Sequence, residues 1–209
     1  MLFIPSVTFS SGKDLIDLAE IHYQNKEYYN SITESLRYQY LYPEGIFFPQ
    51  SMIIMGKSYY RGGNQDKALK ILNECFNTYT NQSEGESALF YSGLIRLESG
   101  SYQFAARTFY EYLFVYEKGK FKEEEFINLS LAHAHAENYD EAQKKLEEYR
   151  KIFPQGKMKN KAEKLSLSIA EVKDRPEKSL FLAGLSSAII PVSGYFYTEK
   201  YMVGLFSFC

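Results

Sequence analysis

The sequence predicts an all-α protein built as a stack of four helical hairpins, and three observations carry that prediction. First, Tyr139-x-x-Ala142 recurs as Tyr102-x-x-Ala105, Gln65-x-x-Ala68 and Tyr28-x-x-Ser31, each copy 37 residues from the next. A fixed period in the range of about 20–50 residues marks a stacked repeat array. Second, the apolar residues of each copy recur at i, i+3, i+4 and i+7, the spacing of a helix face. Third, Gly or Asn stands in the middle of every period, where one helix has to stop and the next begin.

Taken in order, the first hairpin places Leu15, Leu18 and Ala19 on one helix, turns at Asn25-Lys26-Glu27, and carries Tyr28, Ile32 and Ser35 on the second before Pro43. The second hairpin has Met52, Met55, Gly56 and Tyr59, the turn Gly62-Gly63-Asn64, then Ala68, Leu72 and Cys75. The third runs through Leu89, Gly93 and Leu97, turns at Ser99-Gly100-Ser101, and continues with Ala105, Phe109 and Tyr112. The fourth uses Phe126, Leu129 and Ser130, turns at Glu137-Asn138, and then has Ala142, Leu146 and Tyr149 before Pro154. Two columns are small throughout: Ala19, Gly56, Gly93 and Ser130 on the first helices, and Ser31, Ala68, Ala105 and Ala142 on the second. Small residues on both partners let two helix backbones approach at the short end of the usual interaxial range of ~8–10 Å.

These residues resemble the tetratricopeptide repeat, whose outline is an aromatic or Leu, Leu-Gly, Tyr, Ala, Phe and Pro. The resemblance covers residues 12–156, divided at about 12–48, 49–85, 86–122 and 123–156, and implies a right-handed superhelical stack. The period of 37 exceeds the family's 34, the extra residues falling between hairpins, and Thr80 and Glu117 stand where Pro43 and Pro154 end the other two units. The longer spacing and the Tyr-Tyr-x-Ser-Ile start of the first unit's second helix resemble repeats of bacterial envelope proteins. The outer-membrane assembly lipoproteins and the Tol–Pal coordinator are of that kind.

In that family the first helices line a concave face, so the resemblance implies a groove. Its predicted lining is Ile16 and Tyr23, then Ile53, Lys57, Tyr60 and Arg61, then Phe90, Leu94 and Leu97, and last Ile127 and Leu131. The polar positions Lys13, Glu20, Gln24, Gln50, Ser87, Glu98, Glu124 and His135 flank it. Such a surface suits an apolar peptide or helix, with an acidic group near Lys57 and Arg61. The alternative is that these apolar residues only pack against neighbouring units or the chain's own ends. The Lys/Asn clamp for a terminal carboxylate found in chaperone-binding relatives is absent, because Ile16, Ile53, Phe90 and Ile127 fill one of its columns.

Other signals point nowhere further. A net charge of −2 offers no clustered basic face for nucleic acid. Gly56-Lys57-Ser58 lacks the first glycine of a phosphate loop and sits in a helical run. His133 and His135 are two residues apart, so they point to different sides of a helix and cannot chelate one metal. Cys75 lies on an apolar helix face and reads as a buried thiol. Glu123-Glu124-Glu125 suits the positive end of a helix dipole. No nucleophile–base constellation is present, so the reading is non-enzymatic, with no cofactor and no metal.

Outside the repeats, residues 1–11 are apolar and then small and polar, either the remnant of a secretory signal or a frayed end. Residues 157–173 read as a further amphipathic helix that caps the fourth unit, as repeat stacks require. Residues 174–179 read as a linker. Residues 180–197 form a run of 18 without a charge, split by Pro191 and Gly194. A spanning helix needs about 20 apolar residues, so 180–209 reads as a broken or hairpin membrane segment that continues beyond Cys209. The bland alternative is a buried helical hairpin packed on the stack. Lysines at 157, 159, 161, 164, 173 and 178, with Arg175, favour a cytoplasmic side for the repeats, whereas a signal-like start favours the envelope side. The sequence-level expectation is a membrane-tethered adaptor on the periplasmic side of an envelope. The competing one is a soluble cytoplasmic regulatory subunit whose last segment is core.

Overall fold

A computed structural model describes residues 12–174. Residues 1–11, expected as a signal remnant or frayed end, and residues 180–209, expected as a membrane segment, lie outside them, as does the expected linker beyond Asp174. Among the described residues there are nine α-helices and no strand, and no helix is long and apolar enough to cross a membrane. The chain forms two compact units, Met1–Ala88 and Leu89–Cys209, with the boundary inside one helix.

The first unit contains α1 (Gly12–Gln24), α2 (Tyr28–Leu41), α3 (Phe48–Arg61), α4 (Gln65–Tyr79) and the opening turns of α5 (Ser83–Glu98). Here α1 packs on α2, α2 on α3 and α3 on α4. The second unit holds the rest of α5, then α6 (Tyr102–Val115), α7 (Lys122–His135), α8 (Tyr139–Ile152) and α9 (Lys159–Asp174). In it α6 packs on α7, α7 on α8 and α8 on α9.

The second helices begin at Tyr28, Gln65, Tyr102 and Tyr139, so the sequence period is the structural period. Two residues before each start the backbone turns left-handed: φ is +64° at Lys26, +85° at Gly63, +77° at Gly100 and +61° at Glu137. Glycine takes that conformation freely, while Lys26 and Glu137 each bear a cost of roughly 1–2 kcal/mol. Asn64 then caps α4, its side chain accepting from the Lys67 N–H at 3.1 Å.

The small columns lie at the crossings. A Cβ built on Gly56 would sit 2.6 Å from Cγ of Leu72, and one on Gly93 would meet the ring of Phe109. Ser130, buried at the matching place, donates from Oγ to the carbonyl of Ala142 at 2.9 Å. Leu15, Ile16, Ala19, Tyr38 and Ile54 form one core cluster in the first unit. In the second, Phe109, Phe126, Leu146, Leu165 and Ile169 are among the residues of a larger one.

The residues that lengthen the period have a structural purpose that the sequence pattern hides. Tyr38, Tyr112 and Tyr149 are fully buried near the ends of α2, α6 and α8. Each phenol oxygen accepts a hydrogen bond from a backbone N–H nine residues on, at the start of the next helix. The donors are Phe47 at 3.0 Å, Phe121 at 2.9 Å and Met158 at 3.1 Å. The first N–H groups of a helix have no intrahelical partner, so this bond satisfies a donor that burial would otherwise strand. An aromatic four residues on packs against each phenol: Tyr42 at 5.2 Å, Tyr116 at 5.3 Å and Phe153 at 5.4 Å between ring centroids. Cys75 replaces the tyrosine in the second hairpin, and its Sγ lies 3.8 Å from the Pro49 carbonyl oxygen.

Candidate functional site

The amphipathic pattern of the first helices dictates which side chains have a chance of meeting a partner. In α7, residues 124, 127, 128, 131 and 135 share the side turned away from Ser130, whose hydroxyl is bonded into α8. By the repeat register the same side of α3 carries Gln50, Ile53, Lys57 and Arg61.

The structure places nine of the eleven expected lining residues in the interior. Ile16, Tyr23, Ile53, Lys57, Phe90, Leu94, Leu97, Ile127 and Leu131 are all buried, while Tyr60 and Arg61 are half-buried. The burial is continuous: all of Ser51 to Ser58 in α3 and Glu125 to Ala132 in α7 are buried. A helix apolar around most of its circumference is covered around most of it. Changes at Phe90 or Leu94 therefore test packing before they test recognition. The half-exposed members of the same side are Glu20, Gln50, Tyr60, Arg61, Ser87, Glu98, Glu124 and His135.

Within the first unit this side gathers cations on aromatic rings. The Lys57 ammonium lies 4.5 Å from the Tyr23 ring centroid and 3.6 Å from Oε1 of Glu20 on α1. One turn further along α3, the Arg61 guanidinium lies 5.5 Å from the Tyr60 ring centroid. Tyr23 in turn packs against Tyr28 at 5.9 Å. A cation over an aromatic face gains about 0.5–2 kcal/mol as its surroundings dry. The arrangement holds two cations among rings, with Lys57 already paired to Glu20.

In the second unit, burial raises the Glu124 carboxyl and lowers the Lys161 ammonium, and the opposite charges of the two offset part of each shift. Burial also lowers both histidines there. His133 Nε2 lies 3.1 Å from the Tyr110 hydroxyl, and His135 stacks on Tyr102 at 4.8 Å. Their partners are thus rings and a phenol, and among the described residues no group of three metal-capable side chains is assembled. Cys75 is free and buried, and burial pushes its thiol up to about 12, so it is mostly uncharged and unreactive at neutral pH.

Sequence reasoning did not find the phenol-to-N–H bonds of Tyr38, Tyr112 and Tyr149. The signal was there: Tyr, an aromatic four residues on, Gly three after that, and Phe or Met two further. It reads Tyr38-Tyr42-Gly45-Phe47, Tyr112-Tyr116-Gly119-Phe121 and Tyr149-Phe153-Gly156-Met158.

Comparison with known proteins agrees with this geometry. Residues 50–81 match the tetratricopeptide repeat family. No curated protein matches the chain. A Podosopora anserina protein, described as a kinesin light chain with nearly identical TPR-like repeats, superposes with a TM-score of 0.65 at 13% identity, over 85% of this chain and 93% of that one. MamA from AMB-1 superposes with a TM-score of 0.56 at 15% identity, over 85% of this chain and 90% of that one. MamA from RS-1 gives 0.61 at 12% identity, over 85% and 93%. Hairpin geometry, the matched second repeat and these likenesses together establish an all-α fold of tetratricopeptide-type helical hairpins.

Proposed function

We propose that this chain is a non-enzymatic scaffold that binds a protein partner through the inner side of its first helices. The observation that carries the reading is the cation–aromatic cluster of Lys57, Tyr23, Arg61 and Tyr60, set on tetratricopeptide-type hairpins. In this reading Tyr60 and Arg61, which are half-buried, touch the partner directly. Within the first unit the buried Ile16, Tyr23 and Ile53, and within the second Phe90, Leu94, Leu97, Ile127 and Leu131, hold the first helices in place. The partner is an apolar segment carrying an acidic group. The envelope-like repeat spacing supports a partner in a bacterial envelope.

Peptide display against the full chain tests this. Apolar peptides with an acidic residue should be enriched, and Arg61→Glu should turn that preference toward basic ones. Enrichment that ignores the Arg61 change would sink the assignment of this surface.

A second reading adds a tether, favoured by the 18 uncharged residues at 180–197. In it 180–209 inserts in a membrane and displays the hairpins at its surface. Release of the chain by carbonate washing of membranes would remove the tether and leave the scaffold reading standing.

A further inference from the structure

The outer side of the second helices follows the repeat register, and one helix breaks its rule. Asp66, Lys70, Asn73 and Asn77 of α4 occupy the same four positions as Asp140, Lys144, Glu147 and Lys151 of α8. All are polar, as a helix face turned to water should be. In α2 those positions carry Tyr29, Thr33, Leu36 and Tyr40. Tyr29, Leu36 and Tyr40 are 79%, 46% and 86% exposed, and Thr33 is exposed beside them. The Thr33 hydroxyl donates to the Tyr29 carbonyl at 2.8 Å, so its polar atom is satisfied within the helix.

The four residues are spaced 4, 3 and 4 apart, which is the a/d seam of a two-stranded coiled coil. The seam lies across α2 from the hairpin core. On the core side Ser31, Ser35 and Tyr38 are buried, the Ser58 hydroxyl donates to Ser31 Oγ at 2.9 Å, and α2 packs on α1 and α3. The stripe is what is left over once α2 has met its own neighbours.

Its arrangement matches a second copy of itself. Tyr29 and Tyr40 lie equally far from the midpoint of the stripe, and so do Thr33 and Leu36. A second α2, antiparallel to the first about a two-fold axis through that midpoint, sets Tyr29 against Tyr40 and Thr33 against Leu36, twice over. That is the isologous contact of a symmetric dimer, in which residue i meets j and j meets i. Charge agrees with it. The stripe carries none, so no like charges meet across the axis. On the exposed flank, Arg37 of one copy comes within a turn of Asn30 of the other, whose amide is bonded to the Glu27 carboxylate at 3.3 Å. Each cation thus meets an acidic edge.

We infer that α2 is a self-association surface, through which two copies of the chain pair antiparallel by Tyr29, Thr33, Leu36 and Tyr40. The helix has 14 residues and spans about 21 Å, so the contact falls below the ~800 Å² per partner of a standard interface and the dimer is a weak, reversible one. The inference uses the outer side of the first unit and stands or falls separately from the partner assigned to Tyr60 and Arg61. Pairing gives the scaffold two inner sides, so a partner with two matching segments is held more tightly without any new contact.

Sedimentation velocity of the full chain tests this, with circular dichroism as the control for folding. The chain should pass from monomer to dimer between about 1 and 100 μM, the range of a weak interface. Leu36→Glu, which puts two carboxylates beside the axis, should raise the dissociation constant roughly tenfold or more with an unchanged melting curve. A parent that stays monomeric throughout, or an association that Leu36→Glu leaves unchanged, would overturn the surface. Disulfide trapping gives the direction and does not depend on that variant. In a Cys209→Ser background with buried Cys75 retained, Tyr29→Cys and Tyr40→Cys chains are oxidised separately and mixed. The mixture should form a covalent dimer about tenfold faster than either chain alone. Antiparallel pairing holds the two copies of position 29 roughly 16 Å apart along the axis, beyond bonding range, and sets 29 beside 40. Equal rates in all three, faster linkage of one variant to itself, or no linkage at all would overturn the pairing.

Discussion

Gly93→Ala is the sharpest test of how the hairpins are held. Gly93 sits inside α5, where glycine costs a helix roughly 1 kcal/mol relative to alanine. If nothing opposed the added methyl, the variant would therefore be more stable than the parent. The structure opposes it. A Cβ at that position would lie 2.6 Å from Cδ1 of Phe109 and closer still to Cε1, nearer than real Cβ atoms approach a neighbour. Phe109 is fully buried, and its ring is rigid, so relief requires moving α6 or forcing the ring off its rotamer. Overpacking of that kind costs about 1–3 kcal/mol. Set against the propensity gain, it leaves a net loss of up to about 2 kcal/mol, read in urea unfolding followed by circular dichroism. The companion experiment is the same change in a Phe109→Leu background, where a smaller and more flexible side chain can yield. There Gly93→Ala should become neutral or stabilising, giving a coupling of about 1–2 kcal/mol, within the range for contacting residues. A Gly93→Ala variant that gains stability in the parent background would refute the close crossing of α5 and α6.

Three further outcomes follow from the packing. Tyr112→Phe removes the acceptor of the buried Phe121 N–H and should cost about 1–3 kcal/mol, read from the same unfolding curves, with little change in helix content. Ala105→Leu overfills a fully buried crossing and should lower stability by about 1–3 kcal/mol; a parent-like melt would show the crossing to be loose. His133 and His135 have pKa values lowered by burial, so the unfolded chain binds their protons more readily than the folded one. Their contribution is complete above the ordinary histidine value of about 6.5 and is lost as pH falls through the lowered folded values. Melting temperature should decline below about pH 6.5, and a His133→Asn, His135→Asn variant should decline less over that interval.

How much of this was legible in the sequence differs from element to element. The starts of the second helices were, because Tyr28, Gln65, Tyr102 and Tyr139 are fixed by spacing alone and the structure begins those helices at those residues. The turns were, because Gly63 and Gly100 mark a left-handed backbone; Lys26 and Glu137 in the same conformation became visible only by alignment to those glycines. The small columns were, because Gly56 and Gly93 inside helices have no other reason than close approach. The burial of nine of the eleven expected lining residues was not legible. Lys57 was placed beside Arg61 correctly by helical spacing, but its contact with Glu20 and Tyr23 on α1 joins residues that spacing does not relate. The tyrosine bonds were missed for a similar reason. A buried tyrosine at helical spacing reads as core, and nothing local shows that its hydroxyl meets an N–H nine residues on.

By itself the sequence determined the class, the period, the starts of the second helices and the small positions at which the helices of a hairpin cross. Those properties depend on contacts three or four residues apart along a helix, and one chain of letters records them directly. Only the tertiary structure decided that Ile53, Phe90, Leu94, Ile127 and Leu131 are enclosed, that Tyr60 and Arg61 stay accessible, and that tyrosine hydroxyls stitch one hairpin to the next. Burial is set by what lies on the far side of a residue, and in a stack that is another helix, contributed by a distant part of the chain.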